Sequence, residues 1–492
     1  MISLILSIAS VIWLSLDINS GSCCDVRRRA PESVKYKIKI VIKDDKKQLI
    51  CDRCLGNELN KVVKIYNNDL YKQSFIKEDN KTDVFVYIIN DEVFEMINYE
   101  DTEVNFSIQG DDIAEKKYVL AAVEYGENYY IIYCEDFESK GELFKETENI
   151  RSIKIIKTGE IESYSSMFKD CSVESIDLTG LNTVKTTDMN NMFEGCKKLT
   201  SIKLNNFKAP ELATANYMFQ NCDDLRTVDF SEFYAPELQD MQHMFDGCKN
   251  LETVNLSHFT VPKLNNIENI FDKCNNLKTV NLSHLKAAEL ENVSEIFEEH
   301  NNLISVDLSY LEADKLNDMS KMFRKCTNLR DVDLSHSKSK QTIDMSKMFS
   351  KCENLKKVNL NCIDFTTNNV ESIFKECASL KSIDLSVIKF ECSDSKNAEK
   401  MFKDCKMLES VKLFECLENN KNINTSDIFT GCINLRYIDM NNLPHGKIEI
   451  KDCKKLKRIK MSKIADENKE NKENKENNEG NGMSVLSCKE VE

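Results

Sequence analysis

One phrase recurs along the chain and constrains its fold more than any other feature. A Met-Phe or Ile-Phe pair occurs eleven times between residues 167 and 429, at steps of 25 to 28 residues. Four residues after the first member comes a Cys, except in one unit where His300 takes its place. A unit this short cannot bury its apolar face alone, so neighbouring units must stack on one another. The period therefore predicts an array of structural repeats.

The spacing of apolar residues changes within each unit. Val254 and Leu256 stand two apart among polar neighbours, which is typical of a strand. Leu238, Met241 and Met244 stand three apart, which indicates one face of a short helix. We therefore predict an α/β solenoid of about 13 strand–turn–helix coils, each of ~26 residues.

The repeat resembles a known family. The phrase Met-Phe-x-x-Cys-x-x-Leu-x-x-Val-Asp-Leu-Ser, from Met322 to Ser335, is similar to the BspA-like subgroup of leucine-rich-repeat surface proteins. Leu251-x-x-Val254-x-Leu256 corresponds to the general leucine-rich-repeat pattern. The resemblance covers residues 150–461 and implies a secreted or surface-displayed, adhesin-like protein. It does not extend to the rest of the chain.

The ends of the chain have a different character from the array. Residues 1–22 are predicted to be a signal peptide, because an uncharged apolar run precedes small residues at Ser20 and Ser22. A buried N-terminal element, or a lipoprotein acylated at Cys23, are the alternatives. No other apolar run approaches the ~20 residues of a membrane span, so no integral span is expected after cleavage. We expect a secreted or cell-surface location.

Three further segments complete the predicted organisation. Residues 30–149 contain alternating runs, such as 34–42 and 84–89, and are expected to form a small β-rich or α+β domain that caps the solenoid. The solenoid itself is predicted over 150–462. Residues 463–492 contain the tract ENKENKENKENN and are expected to be a disordered Asn/Lys/Glu-rich tail.

The repeat cysteines form a column with two possible states. Stacked slots place Cα atoms ~5 Å apart, which permits disulfides, but an odd number cannot pair completely. A small, easily buried thiol also suits the turn before the strand, so we predict a structural column of reduced cysteines. Cys51 and Cys54 form a separate C-x-x-C pair, open to a local disulfide or to zinc. The column comprises Cys171, Cys196, Cys222, Cys248, Cys274, Cys326, Cys352, Cys377, Cys405, Cys432 and Cys453.

The residues that face outward between the two apolar strand positions are the candidate binding residues. The candidates are Asp177, Asp229, Asn255, Asn281, Asp307, Asp333, Asp384 and Asp439. Lys203 and Lys412 occupy two of the other slots, so the column is acidic and favours a basic or hydrogen-bond-donating partner. The alternative is that these residues only keep the exposed face soluble.

No motif in the array points to catalysis. His258, His284 and His336 share one register, with Tyr310 between them. Two of these histidines lie on adjacent coils, but no third ligand is evident, so we predict neither metal nor cofactor. A nucleophile elbow, a phosphate loop and an H-E-x-x-H motif are all missing from the sequence.

Composition narrows the function further. The formal net charge of −15 argues against nucleic-acid binding, which relies on clustered positive charge. We therefore expect a non-enzymatic binding protein that recognises a protein or a glycan through the solenoid face. The alternative is an intracellular leucine-rich-repeat scaffold whose N-terminus only resembles a signal peptide.

Overall fold

A computed structural model gives the architecture of the chain. It describes residues 150–203, 207–230, 233–391, 398–416, 424–440 and 448–460, together with Lys117 and the strands named below outside these ranges. The predicted signal peptide, the Asn/Lys/Glu tract, and any role of Cys23 lie outside the described residues. Cys51 and Cys54 lie on a described strand, but their side chains do not belong to the described part.

The described residues include seven strands before the array, and two of them, β1 and β4, coincide with the alternating runs at 34–42 and 84–89. Strands β1, β2, β3 and β5 form one sheet in the order β3-β2-β1-β5, in which β1 and β5 are parallel. Strand β6 pairs antiparallel with β7, which pairs antiparallel with β4. Their bounds are β1 Lys37–Lys43, β2 Gln48–Cys54, β3 Lys61–Lys64, β4 Val84–Ile89, β5 Glu103–Gln109, β6 Tyr118–Tyr125 and β7 Asn128–Glu135.

Strand β8, Ile150–Thr158, begins the repeating sheet. One edge of β8 pairs antiparallel with β6, and the other pairs parallel with β9, Ser175–Asp177. Strand β10, Ser201–Lys203, continues the parallel order. Because β6 and β8 bond edge to edge, the strands before the array cover the edge that the first repeat would otherwise leave open.

The repeats contribute one short strand each to parallel sheets. Within these sheets a residue on β12 pairs with the residue 26 positions later on β13, and the same offset recurs to β17. The middle residue of each strand points inward and its two neighbours point outward. The remaining strands of this column are β11 Thr227–Asp229, β12 Thr253–Asn255, β13 Thr279–Asn281, β14 Ser305–Asp307, β15 Asp331–Asp333, β17 Lys357–Asn359, β19 Ser382–Asp384, β21 Ser410–Lys412, β23 Tyr437–Asp439 and β25 Arg458–Lys460.

A second column of strands appears only in the later repeats. Strands β16, β18, β20 and β22 form a separate parallel sheet. Its strands are β16 Lys338–Asp344, β18 Asp364–Asn369, β20 Lys389–Phe390 and β22 Glu415–Cys416. A short antiparallel pair joins β24, Ile448–Glu449, to β26, Val485–Leu486.

The expected helical segments are not helices, and every named element of the described chain is a strand. In the unit that contains Met241, the N–H of Met244 bonds to the carbonyl of Met241 and that of Cys248 to Phe245, so tight turns follow one another. The φ angles of 54° at His243 and 77° at Gly247 interrupt any helix. The fold is therefore a β-solenoid rather than an α/β one.

Backbone bonds between coils replace the bonds of a helix. The amides of Met241, His243 and Phe245 donate to carbonyls of the next coil at 2.9 Å each. In a helix these amides would bond four residues back within their own segment. The apolar residues three positions apart therefore mark repeated turns rather than a helix. The corners of these turns all point into the same core.

The core is built from the recurring pairs. The rings of successive phenylalanines in the column from Phe245 to Phe429 lie 5.3–5.7 Å apart and are nearly parallel. The Met or Ile before each of these Phe is also buried. Offset stacking of this kind adds to the stabilisation from burial, so each coil depends on its neighbours for its core.

Contacts divide the chain into two units. One comprises residues 1–228 with 232–235, and the other comprises residues 229–231 with 236–492. The solenoid has about ten turns, and the count of thirteen stays a prediction, as do the domain boundaries at residues 22, 149 and 462. Within the described residues, no helix has the length and apolar character of a membrane span.

Candidate interaction surface

The outward face of strands β12 to β17 forms an open groove, which we call the sheet groove. It has a volume of about 540 Å³. It is lined by Thr253, Asn255, Thr279, Asn281, Ser305, Asp307, Asp331, Asp333, Lys357 and Asn359, with the backbone of the buried valines at its floor. Equal register places like positions of successive coils side by side. The groove therefore offers a repeated row of hydroxyl, amide and carboxylate groups.

Each predicted column residue in this groove also has a structural task. The Oδ1 atom of Asn281 accepts the backbone N–H of Ser283 at 2.9 Å, and that of Asp307 accepts Ser309 at 2.9 Å. The same contact occurs at Asp177, Asn255, Asp333, Asn359 and Asp384. This is an Asx turn, which ends each of these seven strands. The recurring Asp/Asn-x-Ser phrase was the sequence signal for it.

Side chains of adjacent coils pair along the same column. Asn255 Nδ2 donates to Asp229 Oδ1 at 3.0 Å, and Asn359 Nδ2 donates to Asp333 Oδ2 at 3.0 Å. Burial alone would raise the pKa of Asp333, but hydrogen bonds from Ser335 and Asn359 outweigh it and hold the pKa below its usual value. The carboxylate at Asp333 is therefore kept charged by donors that the neighbouring coil supplies.

Lysines in the same register offset much of the column's charge. Lys154 lies 3.8 Å from Asp177, and Lys460 lies 3.5 Å from Asp439. Lys412 Nζ donates to Asp384 Oδ2 at 2.7 Å. Burial of Asp384 opposes ionisation of its carboxyl group, but hydrogen bonds from Lys412 and Ser386 outweigh burial and lower its pKa. Lys154 on β8 and Lys460 on β25 lie before and after the column residues that the sequence analysis named.

Acidic character concentrates in one part of the groove. Asp307 and Asp333 pair across β14 and β15, and Asp331 extends the same strand. Lys357 faces Asp331 on the next strand. Adjacent carboxylates repel one another and attract donors or cations. Three aspartates therefore cluster in this part of the sheet groove, and two of them, Asp307 and Asp333, belong to the predicted column.

Four aromatic side chains lie beside the sheet groove and form what we call the ring column: His258, His284, Tyr310 and His336. Successive ring centroids lie 4.6, 4.5 and 4.5 Å apart, with interplanar angles of 10° or less. Each ring follows its Asp or Asn by three positions. The sequence placed these residues in one register, but only the structure shows the stacking.

The cysteine column is buried, in contrast to the sheet groove and the ring column. The Sγ atoms of Cys274 and Cys326 donate to the carbonyls of Phe245 and Phe297 in the preceding coil, at 3.0 and 2.9 Å. The same bond recurs at Cys196, Cys222, Cys352, Cys377, Cys405, Cys432 and Cys453. All eleven carry thiols, and all but the half-buried Cys453 are buried.

The one exception in the cysteine column, His300, indicates that this position needs a hydrogen-bond donor for the Phe carbonyl of the preceding coil. Its Nε2 lies 2.9 Å from the carbonyl of Phe271 and takes the place of a thiol in the ladder. A buried carbonyl without a donor would be costly. Burial raises the pKa of Cys326, and it raises that of Cys453 to about 11. These thiols are therefore protonated at neutral pH and are poor nucleophiles.

The described residues contain no group of three or more His, Cys, Asp or Glu that is placed to hold a metal ion. The cysteine column does not form such a group, and nine of its thiols are directed to backbone carbonyls. Of these features, the sheet groove and the ring column lie on the surface and could meet a ligand. Both are open surfaces formed by repetition rather than an enclosed pocket.

The geometry defines a class: a β-solenoid of stacked repeats with one exposed, in-register sheet face. The chain belongs to the family described as "Mycoplasma protein of unknown function, DUF285", whose profile matches residues 139–259, 239–362 and 317–436. Comparison with curated proteins finds no match.

Solved structures are similar at low identity. An internalin from Listeria monocytogenes is 12% identical over 56% of this chain and 84% of its own, with a TM-score of 0.24. The Toll–Spatzle complex of Drosophila is 14% identical over 61% of this chain and 52% of the matched one, at 0.25. The mouse RP105/MD-1 complex is 15% identical over 62% and 58%, at 0.26. The chain thus spans little more than half the length of the last two.

Proposed function

We propose that this protein is a non-enzymatic binding protein that meets a protein partner across several coils of the sheet groove. The observation that carries the proposal is the groove itself, in which five strands present identical registers of outward polar groups. Repeat solenoids create extended surfaces of this kind, and a partner that spans several coils makes many weak contacts at once.

The charge of the groove indicates the chemistry of the partner. Asp307, Asp331 and Asp333 are clustered, and Lys357 is the cation among the groove residues. A partner with a basic or donor-rich surface would relieve the repulsion between these carboxylates. A glycan, whose hydroxyls both donate and accept, is a second candidate because the row also contains Thr253, Thr279 and Ser305.

A secreted or cell-surface location forms part of the proposal. It rests on the apolar N-terminus and on the resemblance of the repeat phrase to the BspA-like leucine-rich-repeat proteins. Sequencing the N-terminus of protein recovered outside the cell should show cleavage near Ser22. Recovery of the uncleaved chain from the cell interior alone would favour the intracellular scaffold instead.

The binding experiment uses the full chain against arrays of extracellular proteins and of glycans. The test variant is D307N/D331N/D333N, in which Asn at positions 307 and 333 keeps the oxygen that accepts the N–H in the Asx turn. We expect association with the protein ligand to fall by about tenfold at low salt and by less at high salt, because screening weakens steering.

The matched control places the same change of charge elsewhere. The variant E268Q/E291Q/E353Q alters three exposed carboxylates outside the groove. It should bind as the original chain does. Equal losses in both variants would reduce the effect to net charge. Undiminished binding by the groove variant would exclude the acidic cluster from the interface.

A further inference from the structure

The position four residues after the repeat Cys, just before the outward strand, is basic in the later coils. We call the cations at this position the basic row. The N–H of Lys356 donates to the carbonyl of Arg330 at 2.9 Å, and the N–H of Lys457 donates to that of Arg436 at 3.0 Å. These bonds keep the position in one register from coil to coil. The basic row comprises Arg330, Lys356, Lys381, Arg436 and Lys457.

The charges of the basic row are not neutralised by the protein. All five side chains are exposed, and within the described residues none of them forms an ion pair with a carboxylate. Glu409, which is half-buried, occupies the same position between Lys381 and Arg436. Asp331 and Glu353 lie at adjacent positions of the turn and also form no ion pair with the row. Five cations therefore stand in line with one carboxylate, in a chain whose net charge is −15.

The earlier coils treat the same position differently. It holds Glu252 and Lys278, whose side chains join at 2.6 Å, and then the uncharged Ile304. A pair of opposite charges helps to hold two coils together, whereas cations on coils ~4.8 Å apart repel one another. The charge of the basic row consequently does not serve the stacking of the later coils, and an external anion would relieve the repulsion.

The positive charge widens at the last described coil of the array. Lys454, Lys455 and Arg458 are exposed beside the final residue of the basic row. Lys455 Nζ donates to the amide oxygen of Asn434 at 2.7 Å. The guanidinium of Arg458 lies over the ring of Tyr437, 6.0 Å from its centroid. Neither contact neutralises the cation that makes it.

We propose that the basic row binds a linear anionic glycan, whose sulfate or carboxylate groups recur along its chain. The row is one side chain wide and extends over six coils, which corresponds to about 24 Å at the spacing of strands. This shape fits a chain of repeating anions better than a single compact anion. Each exposed ion pair contributes little, but a polyanion meets several cations at once and releases its counterions. Clustered Lys and Arg of this kind are typical of heparin-binding patches.

The residues beside the basic row favour a glycan over a nucleic acid. Single-stranded nucleic acid stacks its bases on aromatic side chains, and Tyr437, the aromatic residue of the adjacent strand position, is covered by Arg458. Duplex DNA is read by an element that enters a groove, which a row of single side chains on short turns does not supply. The site goes beyond the proposed function, because it uses neither the aspartates of the sheet groove nor a protein partner.

The test is a titration of the full chain with heparin, a highly sulfated glycan, at a series of salt concentrations. The variant K356Q/K381Q/R436Q/K457Q removes four cations of the row. We expect its affinity to fall by about tenfold at low salt. The slope of log affinity against log salt should also become shallower, because fewer counterions are released. Thermal unfolding verifies that the variant keeps the fold.

The matched control removes the same number of charges elsewhere. The variant K263Q/K286Q/K315Q/K340Q replaces four exposed lysines that pair with carboxylates of the preceding coil. It should bind heparin nearly as tightly as the original chain. Equal losses in the two variants would reduce the effect to net charge and overturn the proposal.

Further probes fix the chemistry of the partner. Desulfated heparin, oligo-dT, polyglutamate and phosphatidylserine vesicles should each bind more weakly than heparin. The variant D307N/D331N/D333N should bind heparin at least as tightly as the original chain, so the two sites can fail independently. No saturable heparin binding at physiological salt, an unchanged row variant, or tighter binding of any other probe than of heparin would each overturn the proposal.

Discussion

Two regions of the second unit share one repeat phrase but differ on one side of the coil. In the earlier region, residues 260–316, a Val/Ala-x-x-Leu segment turns the chain. The N–H groups of Leu264, Leu290 and Leu316 donate to the backbone carbonyl three positions before. Neighbouring coils touch there through single bridges such as Lys286↔Glu312. In the later region, β16, β18, β20 and β22 form a true sheet at the same place.

The difference follows from the residues in two slots. Ala313 and Leu316 have their counterparts 26 residues later in Ser339 and Thr342, so the apolar corner is lost and a β-branched residue takes its place. Thr342 and Thr366 then lie 3.1 Å apart through their hydroxyls. The side of the coil that carries Phe, Cys and the outward Asp or Asn does not change. One face of a repeat can therefore switch structure while the stacking phrase keeps the register.

The largest effect should come from the shared side of the coil, in both regions alike. C274R and C377R each place an unpaired charge in the buried stack, and we expect a loss of about 3–5 kcal/mol or failure to fold. C274S and C377S keep a donor for the Phe carbonyl and should cost far less. Denaturant unfolding measures the four values. A mild C377R beside a severe C274R would show that the later coils do not share the packing.

A core substitution on the variable side should separate the two regions. Leu290 is 1% exposed, and L290A in the earlier region should cost about 3 kcal/mol. T366A in the later region changes a half-buried side chain on β18 and should cost less than about 1 kcal/mol. Chemical denaturation of both variants provides the comparison. Equal costs would mean that the later sheet is as tightly packed as the earlier corner.

Alkaline pH should weaken the cysteine column in both regions. Burial raises the pKa of Cys274 and Cys377, so the folded state holds these protons more tightly than the unfolded state does. Stability is complete below the ordinary thiol value near ~8.5 and falls as pH rises above it. Unfolding free energies at pH 7 and pH 10 test this, with C274S/C377S as the matched variant that should show a smaller fall.

The thiols themselves report on the same column. At pH 7 a thiol reagent should leave most of the repeat cysteines unmodified until the chain unfolds, because they are buried. Cys453, half-buried and with a pKa of about 11, should react before the others of the column. Consecutive pairs recovered as disulfides from the native protein would refute the reduced column.

The smallest effect should come from the Asx turns. D307A removes the acceptor of the Ser309 N–H and should cost about 1 kcal/mol, while D307N should cost only a few tenths. D384A and D384N repeat the pair in the later region, where Lys412 also contacts the carboxylate. Thermal unfolding measures all four. If Asn and Ala are equivalent at both positions, the turn contributes nothing and the column serves solubility or binding alone.

The sequence by itself determined the repeat, its register and the one strand of each unit that carries the outward column. A period of about 26 residues with fixed apolar slots admits only stacking, and strand alternation around Val254 is unambiguous because its period is two. The same register identified the outward column and the aligned histidines. The residues of each column can be assigned from the repeat period, because each coil repeats the pattern of the coil before it.

Only the tertiary structure decided what lies between the strands. The spacing of Leu238, Met241 and Met244 fits a helix and also a series of three-residue turns, and local sequence does not distinguish them. The choice depends on where the amides find acceptors, and here the acceptors are carbonyls of the next coil. Bonds between residues 25 or more positions apart also gave His300 its role as a donor and stacked His258 on His284. Such relations exist only once the coils are packed.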